Sequence, residues 1–262
     1  MGFLLLLLLL SPAPDSARER LDRAQELLRQ RAPVDALALL DPLLAEAEAT
    51  GDEAVLMEAL HHSATALRQG GEFAKGLETD RRALELSRRQ ANRSFEARIL
   101  RNLAVTSKSK GEYTEGLALG EQSLAIHEAL GEREGAGRAA MTLGALHDLR
   151  GEYRLALERY AQAEAALQEA QGRDYFTLQS EIAITYKNLG EYQQALAYYD
   201  RSLEWQQRSG DKYGEMSTLL NAGNVYALLG DSARAIQHYE RSLVLARAVN
   251  ERRGQGFLLG NL

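Results

Sequence analysis

Four stretches of this sequence carry residue types that could do chemistry. Gly135-Ala136-Gly137-Arg138-Ala139-Ala140 fits a permissive dinucleotide pattern, in which glycines let the backbone approach a pyrophosphate. That chemistry needs a strand before the first glycine. An amphipathic helical stretch precedes it here, so the segment reads as a turn between helical units. His61 and His62 could ligate a metal, but helical ligand pairs sit at i and i+4, and adjacent residues face different ways. They read as solvated or groove positions. Asn92-Arg93-Ser94 is a glycosylation acceptor, meaningful only in a eukaryotic secretory route. His147 stands where equivalent positions carry Tyr, which predicts core packing. No phosphate loop, nucleophile elbow or paired catalytic carboxylate is present. The absence of cysteine removes thiolate chemistry and disulfides. The reading is of a chain that is not an enzyme and takes no metal and no cofactor.

The elements that would position any of these residues follow from a repeat. Gly-Glu-aromatic recurs at Gly71, Gly111, Gly151 and Gly190, with Gly230-Asp231-Ser232 as a fifth copy; the spacings are 40, 40, 39 and 40 residues. A second series lies between: Gly51, Asn92, Gly131, Gly172, Gly210 and Asn250. Gly and Asn tolerate the left-handed conformation that ends helices. Two turns per period leave two helix-length, Ala/Leu-rich segments. All four prolines lie before residue 43, so nothing later forces a break. Pro42 falls well inside a segment that starts near Pro33, and it predicts a bent or broken helix there. Small residues recur at Gly76, Gly116, Ala156, Ala195 and Ala235, and again seven residues later at Ala83, Ser123, Ala163, Ser202 and Ser242. Tyr160, Tyr199 and Tyr239 lie between them in the last three copies. This is one helix face on which small residues admit a neighbouring helix and Tyr fills the gap. Trp205 aligns with Leu86, Ile126 and Leu245 and is expected in the core.

These motifs resemble the tetratricopeptide repeat family. The resemblance is carried by Leu219, Ala222-Gly223 and Tyr226 with Ala235, Tyr239 and Ser242; by Ile182-Ala183 and Tyr186 with Ala195, Tyr199 and Ser202; and by Leu143-Gly144 and His147 with Ala156, Tyr160 and Ala163. It covers about nine-tenths of the chain. The period is longer than the usual ~34 residues and the closing proline is missing, as in Leu-Gly-Asn repeat scaffolds, kinesin light chains and bacterial regulators. The resemblance implies an all-α, right-handed α-solenoid of antiparallel hairpins. Six repeats are expected at 18–52, 53–92, 93–131, 132–172, 173–210 and 211–250, with a seventh begun at 253–262. Gly256 to Leu262 stops where Gly and Tyr should follow, which predicts a longer protein with any effector domain beyond.

The family's first helices line a concave groove, and the register assigns its residues. Facing positions are His62, Thr65 and Gln69; Arg98, Arg101, Asn102 and Lys108; Arg138, Met141, Thr142 and Asp148; Thr177, Glu181, Lys187 and Asn188; Asn221 and Asn224. The peptide-binding set expected from these is Arg98, Arg101, Asn102, Lys108, Arg138, Lys187, Asn188, Asn221 and Asn224. Asn102, Asn221 and Asn261 occupy equivalent positions, where the family's Asn typically clamps a peptide backbone through an amide that donates and accepts. The basic middle of the groove suggests an acidic peptide or a C-terminal carboxylate.

Composition sets the remaining bounds. With 45% hydrophobic residues the chain can build a core, and a formal charge of −6 argues against nucleic acid as the partner. Residues 1–17 contain the apolar run Phe3 to Leu10, too short to span a bilayer. It fits a secretory leader, hence an exported or periplasmic protein, or otherwise a cytoplasmic one. Membrane association is expected only through this leader or a missing C-terminal part. The functional expectation is a protein-interaction module. The alternative is the sensor part of a larger bacterial signalling enzyme of the histidine kinase or cyclase type.

Overall fold

A computed structural model describes residues 16–249. The apolar leader, Asn250, Asn261 and the seventh repeat start lie outside the described residues. Among those described are twelve α-helices and no strand, arranged as six hairpins: α1 (Ala17–Arg29) with α2 (Pro33–Thr50), α3 (Glu53–Gln69) with α4 (Phe73–Arg89), α5 (Arg93–Lys110) with α6 (Tyr113–Leu130), α7 (Arg133–Leu149) with α8 (Tyr153–Leu167), α9 (Arg173–Asn188) with α10 (Tyr192–Ser209), and α11 (Lys212–Leu228) with α12 (Ser232–Ala248). The chain divides into two compact units between Thr106 and Ser107, inside α5. None of the described helices is long and apolar enough to cross a membrane.

The turns use the left-handed region, where a side chain is strained and glycine is not. Gly71, Gly111, Gly151, Gly190 and Gly230 all have φ between 75° and 83°. In the second series the structure departs from the expected pattern. The left-handed residues at two turns are Ala91 (φ 51°) and Gln171 (φ 45°), each one position before the expected Asn92 and Gly172. Asn92 is needed elsewhere: its Oδ1 accepts the Phe95 N–H at 3.1 Å and caps α5.

Pro42 does not break its helix. α2 runs unbroken from Pro33 to Thr50 with Pro42 inside it. Pro42 and Ala38 are both exposed, so the Ala38 carbonyl that loses its N–H partner faces water. Leu40, Leu43 and Ala47 are buried and hold the flanking turns against α1 and α3. The glycines of the dinucleotide-like stretch are not in a turn either. They lie in the first turns of α7, where a Cβ on Gly135 would come 2.6 Å from His127 Cε1 and one on Gly137 would come 2.7 Å from Leu167 Cγ. They are close-packing positions.

In the second unit each hairpin is closed by a tyrosine of its second helix laid on a small residue of its first. Tyr160, Tyr199 and Tyr239 are buried, as are Ala195 and Ala235. A Cβ on Gly223 would approach Tyr239 Cε1 to 2.6 Å, and one on Gly144 would overlap the Tyr160 ring. Tyr199 clusters with Ala183 and Ala222. Trp205, expected in the core, is half-buried and stacks on Phe176 at 5.1 Å and 12°. His147 is likewise half-buried, with Nδ1 2.6 Å from a Glu152 carboxylate oxygen.

In α4 of the first unit the corresponding slot holds an ion. Asp80, four residues after Gly76, is fully buried and ion-paired with Arg68 of α3. Burial pushes its carboxyl up to about 6 despite the opposing effects of Arg68, Asn102 and Arg101. His61 and His62, expected at solvated or groove positions, are buried. Burial holds His61 well below its usual value and His62 down at about 4, with the Arg98 cation adding to both.

Four measurements test this packing. Gly144→Ala and Gly223→Ala should each cost roughly 1–3 kcal/mol, because the overlap with a buried ring outweighs the ~1 kcal/mol that Ala gains in helix propensity. Tyr199→Ala should cost about 3–5 kcal/mol and Tyr199→Phe far less; thermal melts that rank them otherwise contradict the packing. Ala91→Gly should stabilise by about 1 kcal/mol through relief of the left-handed backbone. The fourth test is pH. A histidine with a depressed folded pKa contributes stability that is lost as pH falls from 6.5 toward 4. Asp80 acts in the opposite sense, since between 3.8 and about 6 the folded state keeps its proton and the unfolded state does not. Between about pH 7 and pH 5, His62 alone should remove on the order of 2 kcal/mol. His62→Gln should therefore lose less melting temperature over that interval than the wild type, and parallel losses would refute the assignment.

Candidate functional site

In the second unit the first helices of successive hairpins touch, α7 against α9 and α9 against α11, while each second helix packs between its own partner and the next hairpin. So α7, α9 and α11 present a shared face, with α8, α10 and α12 behind it. This ordering follows from the small residues. Gly144, Ala183 and Gly223 are all buried where a tyrosine from behind reaches forward.

A polar cluster forms on that face. Thr185 Oγ1 donates to Asp148 Oδ1 at 2.7 Å, and Asn188 Nδ2 donates to Asp148 Oδ2 at 3.3 Å. Glu181, one turn before Thr185, is half-buried and takes part in no salt bridge among the described residues. Burial raises its carboxyl pKa; Lys108 opposes the rise and Asp148 adds to it. The hydroxyls of Tyr160 and Tyr199 reach the same region from behind. Both are buried; the Tyr199 hydroxyl has no hydrogen-bond partner, and the Tyr160 hydroxyl lies against the Thr185 side chain. Burial raises both phenols, and the nearby Glu181 and Asp148 charges raise them further. One turn along, Tyr239 donates to Asn224 Oδ1 at 2.9 Å. Lys187, Asn224, Ala227, Leu228 and Tyr239 line a cavity of about 370 Å³.

The residues expected to bind peptide are distributed unevenly. Arg98, Arg101 and Asn102 belong to the first unit; Lys108, Arg138, Lys187, Asn188, Asn221 and Asn224 belong to the second. Asn102 and Asn221 share a register but not an environment. Asn102 is buried, with Nδ2 3.0 Å from His61 Nδ1, so its amide is spent inside the unit. Asn221 is half-buried and its side chain makes no hydrogen bond to another described residue. Arg98 lies over the Phe95 ring at 4.8 Å, and Arg101 Nη2 reaches Asn102 Oδ1 at 3.3 Å. Arg138 is held by Asp174 at 2.9 Å and Glu134 at 3.4 Å. Its positive charge is thus met in part within the protein. Thr185 escaped the sequence reading because it falls between the core positions Ala183 and Tyr186. Its placement 37 residues after Asp148, close to one repeat, is the signal that links them.

No curated protein matches the chain in sequence. In structure it is similar to BtubC (BKLC) from P. vanneervenii, at 19% identity and a TM-score of 0.65, covering 90% of this chain and 93% of that one. It is also similar to NprR in complex with its cognate peptide NprX, at 16% identity and 0.68, covering 93% and 71%. A third likeness is to PH0952 from Pyrococcus horikoshii, a Signal Transduction ATPase with Numerous Domains carrying a tetratricopeptide repeat sensor, at 15% identity and 0.63, covering 92% of this chain and 38% of that one. These likenesses establish the fold. The sequence profile described as tetratricopeptide repeat matches residues 95–169 and 174–248, more than half of the chain. With its hairpins and tyrosine-on-glycine packing in place, the chain belongs to the tetratricopeptide repeat family.

Proposed function

We propose that this chain is an interaction module that holds a segment of a partner protein on the α7–α9–α11 face. The observation that carries this reading is polar capacity without internal partners on one shared face. The side chains of Asn221 and Lys187 make no hydrogen bond or salt bridge to another described residue, Glu181 makes no salt bridge among them, and the buried Tyr199 hydroxyl is unmet. An extended segment offers backbone donors and acceptors for such an amide. The structurally similar NprR holds a peptide, which supports the same use of the fold here. The expected acidic ligand rested on cations of which Arg138 also pairs with Asp174 and Glu134. A second reading is that the module serves as the sensor segment of a larger signalling protein, as the repeats of PH0952 do.

Selection of a random peptide library on the full chain tests the face. Asn221→Arg should weaken the selected peptides roughly tenfold or more, about 1.4 kcal/mol. Ala161→Arg, at an exposed position of α8, should leave them unchanged. Equal effects of the two substitutions, measured by titration with the helical spectra intact, would move the interaction off this face.

A further inference from the structure

The cavity on the shared face lies where one residue is small. Three positions before each internal glycine, successive first helices carry Lys108, Asp148, Lys187 and then Ala227. A long charged side chain gives way to a methyl group, and beside it lies the hollow of about 370 Å³. Its walls are apolar. Ala227 is exposed, Leu228 is 58% exposed, and the ring of the buried Tyr239 closes the back. A large exposed aliphatic beside an aromatic ring, in a concave place, is surface that a partner can cover.

A second observation concerns the polar groups at the cavity, which are all donors. Asn224 Oδ1 accepts the Tyr239 hydroxyl at 2.9 Å, which fixes the amide. Its Nδ2 donates to no described residue. The half-buried Lys187 makes no salt bridge or hydrogen bond through its side chain to another described residue. Asp148, which precedes it by one repeat, has its oxygens engaged by Thr185 and Asn188. No acidic side chain lines the cavity. An ammonium and an amide N–H beside an apolar hollow suit a carboxylate whose neighbour in sequence is apolar.

We propose that this cavity anchors the bound segment through a pair of its side chains. One large apolar side chain packs on Ala227, Leu228 and the Tyr239 ring. The carboxylate of a nearby Asp or Glu of the segment accepts from Lys187 Nζ and Asn224 Nδ2. This rests on the reading of the α7–α9–α11 face as the partner-binding surface, and it names which part of that face selects the sequence. An apolar side chain seated in a pocket with a polar contact at the rim is the usual form of a dominant contact in protein recognition.

The test selects on the full chain from two random peptide libraries, one amidated at the carboxyl terminus and one with that carboxyl free. Wild type should enrich, in both, a large apolar residue with Asp or Glu within two positions of it. Ala227→Leu fills the cavity and should weaken the selected peptides roughly tenfold. Lys187→Gln should weaken them by a similar factor, and Lys187→Glu should replace the enriched acid by Lys or Arg while the apolar residue stays. Ala227 is exposed and Lys187 is unpaired, so all three variants should keep the helical spectrum and melting temperature. If Ala227→Leu disturbs the fold, the two Lys187 variants carry the test. Binders from the free-carboxyl library alone would make the anion a chain end and overturn the side-chain pair. Peptides without the pair, weakened by Asn221→Arg but held equally well by Ala227→Leu and Lys187→Gln, would overturn the anchor and leave the binding face standing. Failure of wild type to retain any peptide would overturn both.

Discussion

A tyrosine ring needs a hole the width of a side chain, and in an α-helix only a missing or minimal side chain supplies one. At Gly144 and Gly223 the hole is so closely filled that even one added carbon would meet a ring atom. This contact sets the distance between the two helices of a hairpin. Because the ring comes from the second helix and passes the first, it also determines which residues of the first helix lie next to a hydroxyl. Helix spacing, burial of the aromatic surface and delivery of a polar atom to the far side are therefore one constraint.

The two units use the slot differently. In the second, the tyrosine at this position buries a large apolar area and carries its hydroxyl under the first helices, to Asn224 in the case of Tyr239. In the first, Asp80 takes the place in α4, and Arg68 of α3 neutralises it. An aspartate is too short to reach across, so the charge stays between the helices and draws Asn102 and Arg101 inward. The price is a buried ion pair that contributes little net stability, since desolvation cancels much of its attraction. The consequence for function is that Asn102 is committed to the interior while its counterpart Asn221 is not.

The solenoid was legible because it rests on repetition. A 40-residue period of glycine turns and small residues has few structural solutions, and the hairpins follow from it. What escaped was decided by contacts that no period reports. Ala91 and Gln171 take the left-handed turn because Asn92 and Gly172 are needed as the residues that start the next helix. Pro42 survives inside α2 because it faces water, and the flanking leucines do not. Trp205 aligns with core aliphatics yet lies half-exposed because Phe176 offers a ring to stack on.

The site was legible as a face and illegible as a charge. A register places side chains on a surface, but the charge a ligand meets is the sum left after internal pairing. Arg138 is cancelled by one acid four residues earlier and another 36 residues later, and only the folded chain brings the second within reach. Asp148 and Glu181 were placed on the same face by the same register, and they draw no such partner. Two acids, Asp148 and Glu181, share the face with Lys108 and Lys187, so its polarity is set by the balance among them. The tyrosines that close the core also carry their hydroxyls under this face, so that substitutions at Tyr160 act on stability through the ring and on the Thr185–Asp148 cluster through the oxygen.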